Sequence, residues 1–493
     1  MRRLLAGISL LAFFSACSSA PPAPAPASAP AVTPASDDQS FRATAPDPLP
    51  TRPWEFPRVT RVTLENGLRV LVAENHGAPL VTMRAMVRSG ADHDPQTHAG
   101  LAAFTAAMLD EGAGGRTALE IAEAVADLGG ALNTGSEWDA SFVNLKVLSR
   151  NAEAGMNLLS DVLIRPTLPA DEIERLRKER LTTILQQRDN ANAIAANRFA
   201  SFVYGGTPYG NPMIGTEQTV GRISRADLND FYRTHYVPNN VSLIITGAVN
   251  SNDAVQMARR YFSSWPRGRD IPSVAVTPQS IDANRIYLID RPQAVQSEIR
   301  VGHPGVSRSS EDYFPLFAMN TLLGGNFSSR MNLNLREKHG FTYGARTQLF
   351  FRRQPGPFMV STPVRNEVTL PAVQQIMAEL ERIRSGDITD LELRNTKNYL
   401  MGVFPATVES ADDLANRLGE LEVYSLPEDY FSNYRERIAA VTADDLTRVA
   451  NRYVHPDKAA IVIVGKASDI REPLGQLGYP LTVYDIDGQP IGQ

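Results

Sequence analysis

The sequence predicts an α+β protein built of two similar halves, and three observations carry that prediction. The first is an internal repeat. "ISRADLNDFYRTHYVPNNVSLIITG" begins at Ile223 and "VTADDLTRVANRYVHPDKAAIVIVG" begins at Val441. In ungapped register Ser224 falls on Thr442, Asp227 on Asp445, Leu228 on Leu446, Pro238 on Pro456 and Gly247 on Gly465, every pair at the same separation. The second is alternation. "RVTLENGLRVLVAEN" reads as two strands about an Asn66-Gly67 hairpin turn, "PLVTMRAMVRSG" as another strand, and "VSLIITGAV" over 241–249 as a buried one. The third is a set of helical periods at 97–111, 117–128, 151–164, 169–188 and 191–205.

Taken in order, the chain opens on a targeting segment over 1–16. Arg2 and Arg3 precede an apolar run from Leu4 to Phe14, and Ser15-Ala16 precede Cys17. "FFSAC" resembles a bacterial lipoprotein box, which implies that Cys17 is acylated and that the chain is lipid-anchored in the periplasm. Ser18 in the next position points by the same resemblance to the outer membrane. Residues 17–55 are rich in proline and alanine and can bury no core, so they read as an extended tether. An N-terminal domain over 56–270, a proline-bearing linker over 271–282 and a C-terminal domain over 283–493 complete the expected organisation. A chain of 493 residues exceeds what one core usually serves. Ser224 and Thr442 read as helix N-caps with Asp227 and Asp445 in the first turn.

Several functions are excluded by composition. The net charge is -5, and this mild acidity argues against nucleic acid as a partner, since a phosphate-binding face needs clustered Lys and Arg. No apolar run is long enough to cross a bilayer, so no transmembrane helix is expected. Cys17 is the only cysteine, which leaves the later domains no internal disulfide. A GxSxG elbow and a Cys-His arrangement are absent, and "LLGGNFSSR" lacks the Gly-Lys-Ser/Thr of a phosphate loop.

"GLAAFTAAMLDEGA", "YGGTPYGNPMIGTEQTVGRISRADLNDFYRTHYVPNN" and "LLGGNFSSRMNLNLREKHGFTYG" together resemble the pitrilysin/insulinase family of zinc peptidases. The resemblance covers essentially everything after residue 56. It implies two homologous domains in a clamshell, each a mainly antiparallel sheet packed with helices. The family's working helix carries H-x-x-E-H, two zinc ligands one turn apart and a general base. Here the ligand positions fall on Ala103 and Ala107 and the base on Ala106. The third ligand falls near Thr183, with Gln186 one register away. None of these residues can bind zinc. Asp110 and Glu111 read as solvated charges at the helix end. His93 and His98 lie in the preceding loop, while His76, His235, His303, His339 and His455 are scattered singly and read as core or surface residues.

The family's second half carries an Arg and, seven positions on, a Tyr that hold the peptide carbonyl. "REKHGFTY" supplies Arg336 and Tyr343 at that spacing, after a glycine-rich loop containing Gly324 and Gly325. The resemblance therefore implies a substrate-positioning subunit without zinc. Its partner would be a homologous H-x-x-E-H chain holding the metal, and its substrate an extended peptide. A peptide-binding or scaffolding lipoprotein without any part in hydrolysis is the alternative.

Overall fold

The computed structural model describes residues 54–491. The targeting segment, Cys17 and all of the tether before Trp54 lie outside them. The described residues belong to one compact unit.

The first sheet draws on β1 (Val59–Thr63), β2 (Arg69–Glu74) and β3 (Leu80–Val87). A short ribbon follows, β4 (Gly112–Ala113) with β5 (Arg116–Thr117), before β6 (Ala131–Ser136), β7 (Ser141–Leu148) and β8 (Val241–Gly247) rejoin the sheet. Its order is β1-β2-β8-β3-β7-β6. The second sheet is formed by β9 (Arg285–Asp290), β10 (Gln296–Pro304), β11 (Arg346–Leu349), β12 (Pro357–Arg365), β13 (Ala460–Gly465) and β14 (Leu481–Tyr484). Taken from β14, its order is β14-β9-β13-β10-β12-β11, the same path as the first. The pairing senses also match. β2 runs parallel to β8 as β9 does to β13, while β3 and β10 are antiparallel to both neighbours. Only the outer strand beside β2 and β9 differs. β1 comes from ahead of the repeat and is antiparallel; β14 comes from behind it and is parallel.

The repeated segments become the same helix-turn-strand unit. Ser224 caps the helix Arg225–His235 and Thr442 caps Ala443–Tyr453. In each, the cap side chain accepts from the N3 amide and the N3 aspartate reaches back. Those are full capping boxes, which satisfy amides that a helix start otherwise leaves open.

The two halves exchange one helix each. Ala411–Tyr424, from the second half, lies along β3 and β8 of the first sheet, and Ala191–Tyr204, from the first half, lies along β10 and β13 of the second. Strand periodicity explains the first contact. Val81, Met83, Ala85 and Val87 of β3 pack into the first half's own helices, while Thr82, Arg84 and Met86 point the other way. There Thr82 Oγ1 donates to Asp412 (2.7 Å), Arg84 Nη1 donates to Asn416 (2.6 Å) and Met86 joins Leu414 and Leu418 in one apolar cluster. Lys146 pairs with Asp412 and Arg69 with Glu422 across the same seam.

One helix is shorter than its sequence period suggests. The expected 97–111 helix is an α-helix only over Leu101–Ala107. Gly100 at its start has φ +93, and a Cβ there would lie 2.7 Å from the Ile214 carbonyl oxygen, so neither another side chain nor a longer helix fits. At the other end the Met108 amide splits between the Phe104 and Thr105 carbonyls, tightening the last turn, and the chain leaves into β4.

Candidate functional site

Ala103 and Ala107 stand one turn apart on the half-buried face of the Leu101–Ala107 helix, with Ala106 wholly buried behind them. The helix starts where it does because Asp94, itself buried, accepts the amides of Gly100 and Ala102 at 2.8 Å each. Burial raises the Asp94 carboxyl to about 7, against the pull of those amides and with added repulsion from Asp92.

The helix Ala170–Gln187 packs beside it, and what it presents there is a cation. Arg180 donates to the Ala103 carbonyl at 2.5 Å, and its guanidinium lies 4.9 Å from the Phe104 ring centroid. Arg177 stands over the same ring at 5.6 Å. Burial holds Arg180 down to about 10, although Asp94 nearby favours its charged form. Thr183 is exposed and spends its hydroxyl on the Glu179 carbonyl, while Gln186 is exposed as well. Three methyl groups, a committed hydroxyl and an adjacent guanidinium do not fit a zinc ion, which asks for at least three lone-pair donors. Among the described residues no group of three or more His, Cys, Asp or Glu side chains is placed to hold a metal. Sequence reading missed Arg180, because its contact with Ala103 spans 77 positions and no motif marks it.

Two expectations for nearby residues are corrected. Asp110 and Glu111 are not simply solvated. Asp110 accepts from Thr134 and Glu111 pairs with Arg175 at 2.5 Å, since β6 and the Ala170–Gln187 helix close over the end of the turn. The histidines are not all single either, because the topology joins distant segments. His93 packs edge-on against His235, and His303 packs at a tilt against His455, each pair with centroids 5.0 Å apart. His93 is bonded to Asp92 at 2.6 Å and its side chain is enclosed, whereas His98 bonds to Thr97.

In the second half the glycine-rich stretch coils as π-helix over Thr321–Gly325, and Arg336 sits in a second π-helical stretch, Leu333–Lys338. Such wide turns recur at functional sites. Gly324 answers to a neighbouring strand: a Cβ there would lie 2.4 Å from the Thr347 amide nitrogen of β11. Gly325 is exposed. The Arg336 guanidinium stacks 4.4 Å from the Phe327 ring centroid, with Glu337 at 3.5 Å as its carboxylate neighbour. Tyr343 is 94% exposed and makes no hydrogen bond to any described residue. Arg336 and Tyr343 likewise share no hydrogen bond.

A twice-repeated sheet-and-helix unit, with a short helix buried against an arginine-bearing one in the first copy, defines the class as peptidase-like in architecture. Residues 69–217 match the insulinase (peptidase family M16) domain and residues 222–400 the peptidase M16 inactive domain. The chain belongs to the pitrilysin/insulinase, or M16, family. It is similar to an uncharacterized zinc protease of Mycobacterium leprae, 26% identical over 422 residues that cover 83% of this chain and 92% of the relative. It is also similar to a probable mitochondrial-processing peptidase subunit beta of Arabidopsis thaliana, at 24% over 425 residues, 83% of this chain and 79% of that one. Among solved structures, a peptidase M16 inactive domain from Pseudomonas fluorescens superposes with a TM-score of 0.78 at 26% identity, covering 83% of this chain and 98% of that one. The first half of the periplasmic protease PqqL from Escherichia coli has the same fold, with a TM-score of 0.69 at 17% identity over 86% of this chain and 98% of that one.

Proposed function

We propose that this chain is the non-catalytic, substrate-positioning subunit of a two-chain periplasmic zinc peptidase. One observation carries the reading: the stretch that resembles the family's metal-bearing helix folds as the helix Leu101–Ala107 and holds alanine at Ala103, Ala106 and Ala107. The metal and the base would come from a homologous H-x-x-E-H subunit. This chain would supply Arg336 and Tyr343, whose N–H and O–H groups face a peptide carbonyl as it gains negative charge. The free hydroxyl of Tyr343 supports this, since a side chain so exposed and unpartnered is open to another chain's substrate. Extended peptide would add a strand at a sheet edge, taking its affinity from main-chain hydrogen bonds. The resemblance of "FFSAC" to a lipoprotein box supports an acylated Cys17 and a tethered position at the outer membrane. Mass spectrometry of the protein from its native host then finds lipid on Cys17; an unmodified N-terminus beyond it refutes the anchor.

The test of function is reconstitution. Alone, the purified chain is expected to hold no stoichiometric zinc and to cleave no peptide. Mixed with an H-x-x-E-H relative from the same organism, it is expected to co-elute on gel filtration and to raise peptide hydrolysis above that of the relative alone. About one tightly held zinc per chain, or hydrolysis by the chain alone, refutes the proposal. A chain that binds peptide but never changes the relative's turnover is a scaffolding protein instead.

A further inference from the structure

A cavity of about 560 Å³ opens between the two halves, and neither the Leu101–Ala107 helix nor Arg336 and Tyr343 line it. Its walls come from β3 and the β6–β7 turn on one side, and from residues 350–352 and the Ala411–Tyr424 helix on the other. Two arginines line it, and neither has a carboxylate within ion-pairing distance. Arg84 donates to Asn416 and to the Met86 sulfur, over the ring of Phe142. The Arg352 guanidinium has no hydrogen-bond acceptor among the described residues, and its Nη1 is buried and unpartnered. Its charge is met at close range only by π-faces, Trp138 at 4.0 Å and Tyr209 at 4.6 Å from the guanidinium carbon. Burial accordingly pulls its pKa down from the usual arginine value.

Arg352 as a whole is half-buried, but its Nη1 is shut away from water without an acceptor, and leaving such a charged donor unmet is costly. The acidic neighbours do not relieve it. Asp139 is committed elsewhere: one oxygen accepts from Tyr209 Oη and the other from the Arg353 amide at 2.8 Å. Glu420 is held by Arg308 at 2.6 Å and by Arg417 at 3.1 Å. Glu137 is exposed and its charge acts on Arg84. Apart from Asn416 and Tyr424 the rest of the wall is largely apolar, with Met86, Met213, Phe350 and Val423 prominent. Volume, an apolar lining and a few convergent donors are the ordinary composition of a small-ligand site.

We infer that this cavity binds a monocarboxylate carried on an apolar or aromatic body, its carboxylate on Arg352 and its body against the methionines and Phe350. A planar carboxylate matches the guanidinium fork, and the charge-assisted bonds form in a shielded place where they count most. The carboxylate could be the C-terminus of a peptide ending in an apolar residue or that of a free acid, and the chemistry at Arg352 is the same for both. This site is independent of the proposed subunit role.

The experiment is calorimetric titration of the full chain with four probes: 3-phenylpropionate, its amide, a hexapeptide ending in phenylalanine as the free acid, and the same peptide amidated. At least one acid is expected to bind at sub-millimolar concentration, with its amide weaker by about tenfold or more. Arg352→Met keeps length and apolar bulk while removing the fork, and is expected to reduce acid binding to the level of the amide. Arg84→Gln is a second variant with the same direction of effect. Binding by the peptide acid alone assigns the site to a peptide C-terminus, and binding by both acids assigns it to the carboxylate with its apolar body. Absence of binding by either acid, or equal binding of acid and amide, overturns the inference. That comparison stands on the wild-type chain even if a variant fails to fold.

Discussion

Asp94 and Tyr343 mark the two ends of what single residues do here. Asp94 is enclosed and sets the first turn of the Leu101–Ala107 helix by accepting hydrogen bonds from two backbone amides. Its carboxyl sits at about 7 when folded, while an unfolded aspartate ionises near ~4. A raised folded pKa means that the protonated form favours the fold. That stability is complete below about pH 4 and is lost as pH rises through about 7. Urea unfolding of the wild type is therefore expected to show stability falling across that window by roughly a few kcal/mol more than in Asp94→Asn, which cannot ionise. Parallel pH profiles for the two proteins would contradict it. Tyr343 is the opposite case, and Tyr343→Phe is expected to leave stability unchanged within about 0.5 kcal/mol. Neither Asp94 nor Arg180 was legible in the sequence, since a buried carboxylate and a buried guanidinium look like surface charges until their distant partners are known.

At the scale of elements, the helix-turn-strand repeat was legible because its determinants are local. A cap, an acidic N3 and a buried apolar strand follow one another within a single short segment in each copy. Ser224→Ala and Thr442→Ala are each expected to cost about 1 kcal/mol in thermal or urea unfolding, since each removes its own helix's capping box. A negligible effect at both would mean that packing alone holds these helices. The 97–111 helix was read too long for a non-local reason. Alanines propagate a helix well, yet Gly100 meets the Ile214 carbonyl and the chain beyond Met108 is claimed by β4. The alternation in β3 was legible, but its consequence was not. Alternation does not say what covers Thr82 and Arg84, and a helix from the far half of the chain supplies Asp412 and Asn416 to meet them.

Across the whole molecule, the exchange of the Ala191–Tyr204 and Ala411–Tyr424 helices ties the two halves into one unit. Leu418 is fully buried among residues of both halves. Leu418→Ala is expected to cost roughly 2–5 kcal/mol and to lower the melting of both halves together, as a single calorimetric transition. Two separated transitions would show that the halves fold independently. A single compact unit of this kind suits the proposed role, a subunit that offers donors to another chain's substrate. The measurement that tests it most directly is peptide turnover by the reconstituted pair, with Tyr343→Phe or Arg336→Lys in this chain and pairing verified by gel filtration. Intact pairing is expected, with a fall in turnover for Tyr343→Phe of roughly a hundred- to a thousandfold, the usual loss when one oxyanion donor is removed. Arg336→Lys keeps the charge without the planar fork and is expected to impair turnover in the same direction. Wild-type turnover from both variants in a fully assembled pair would contradict it.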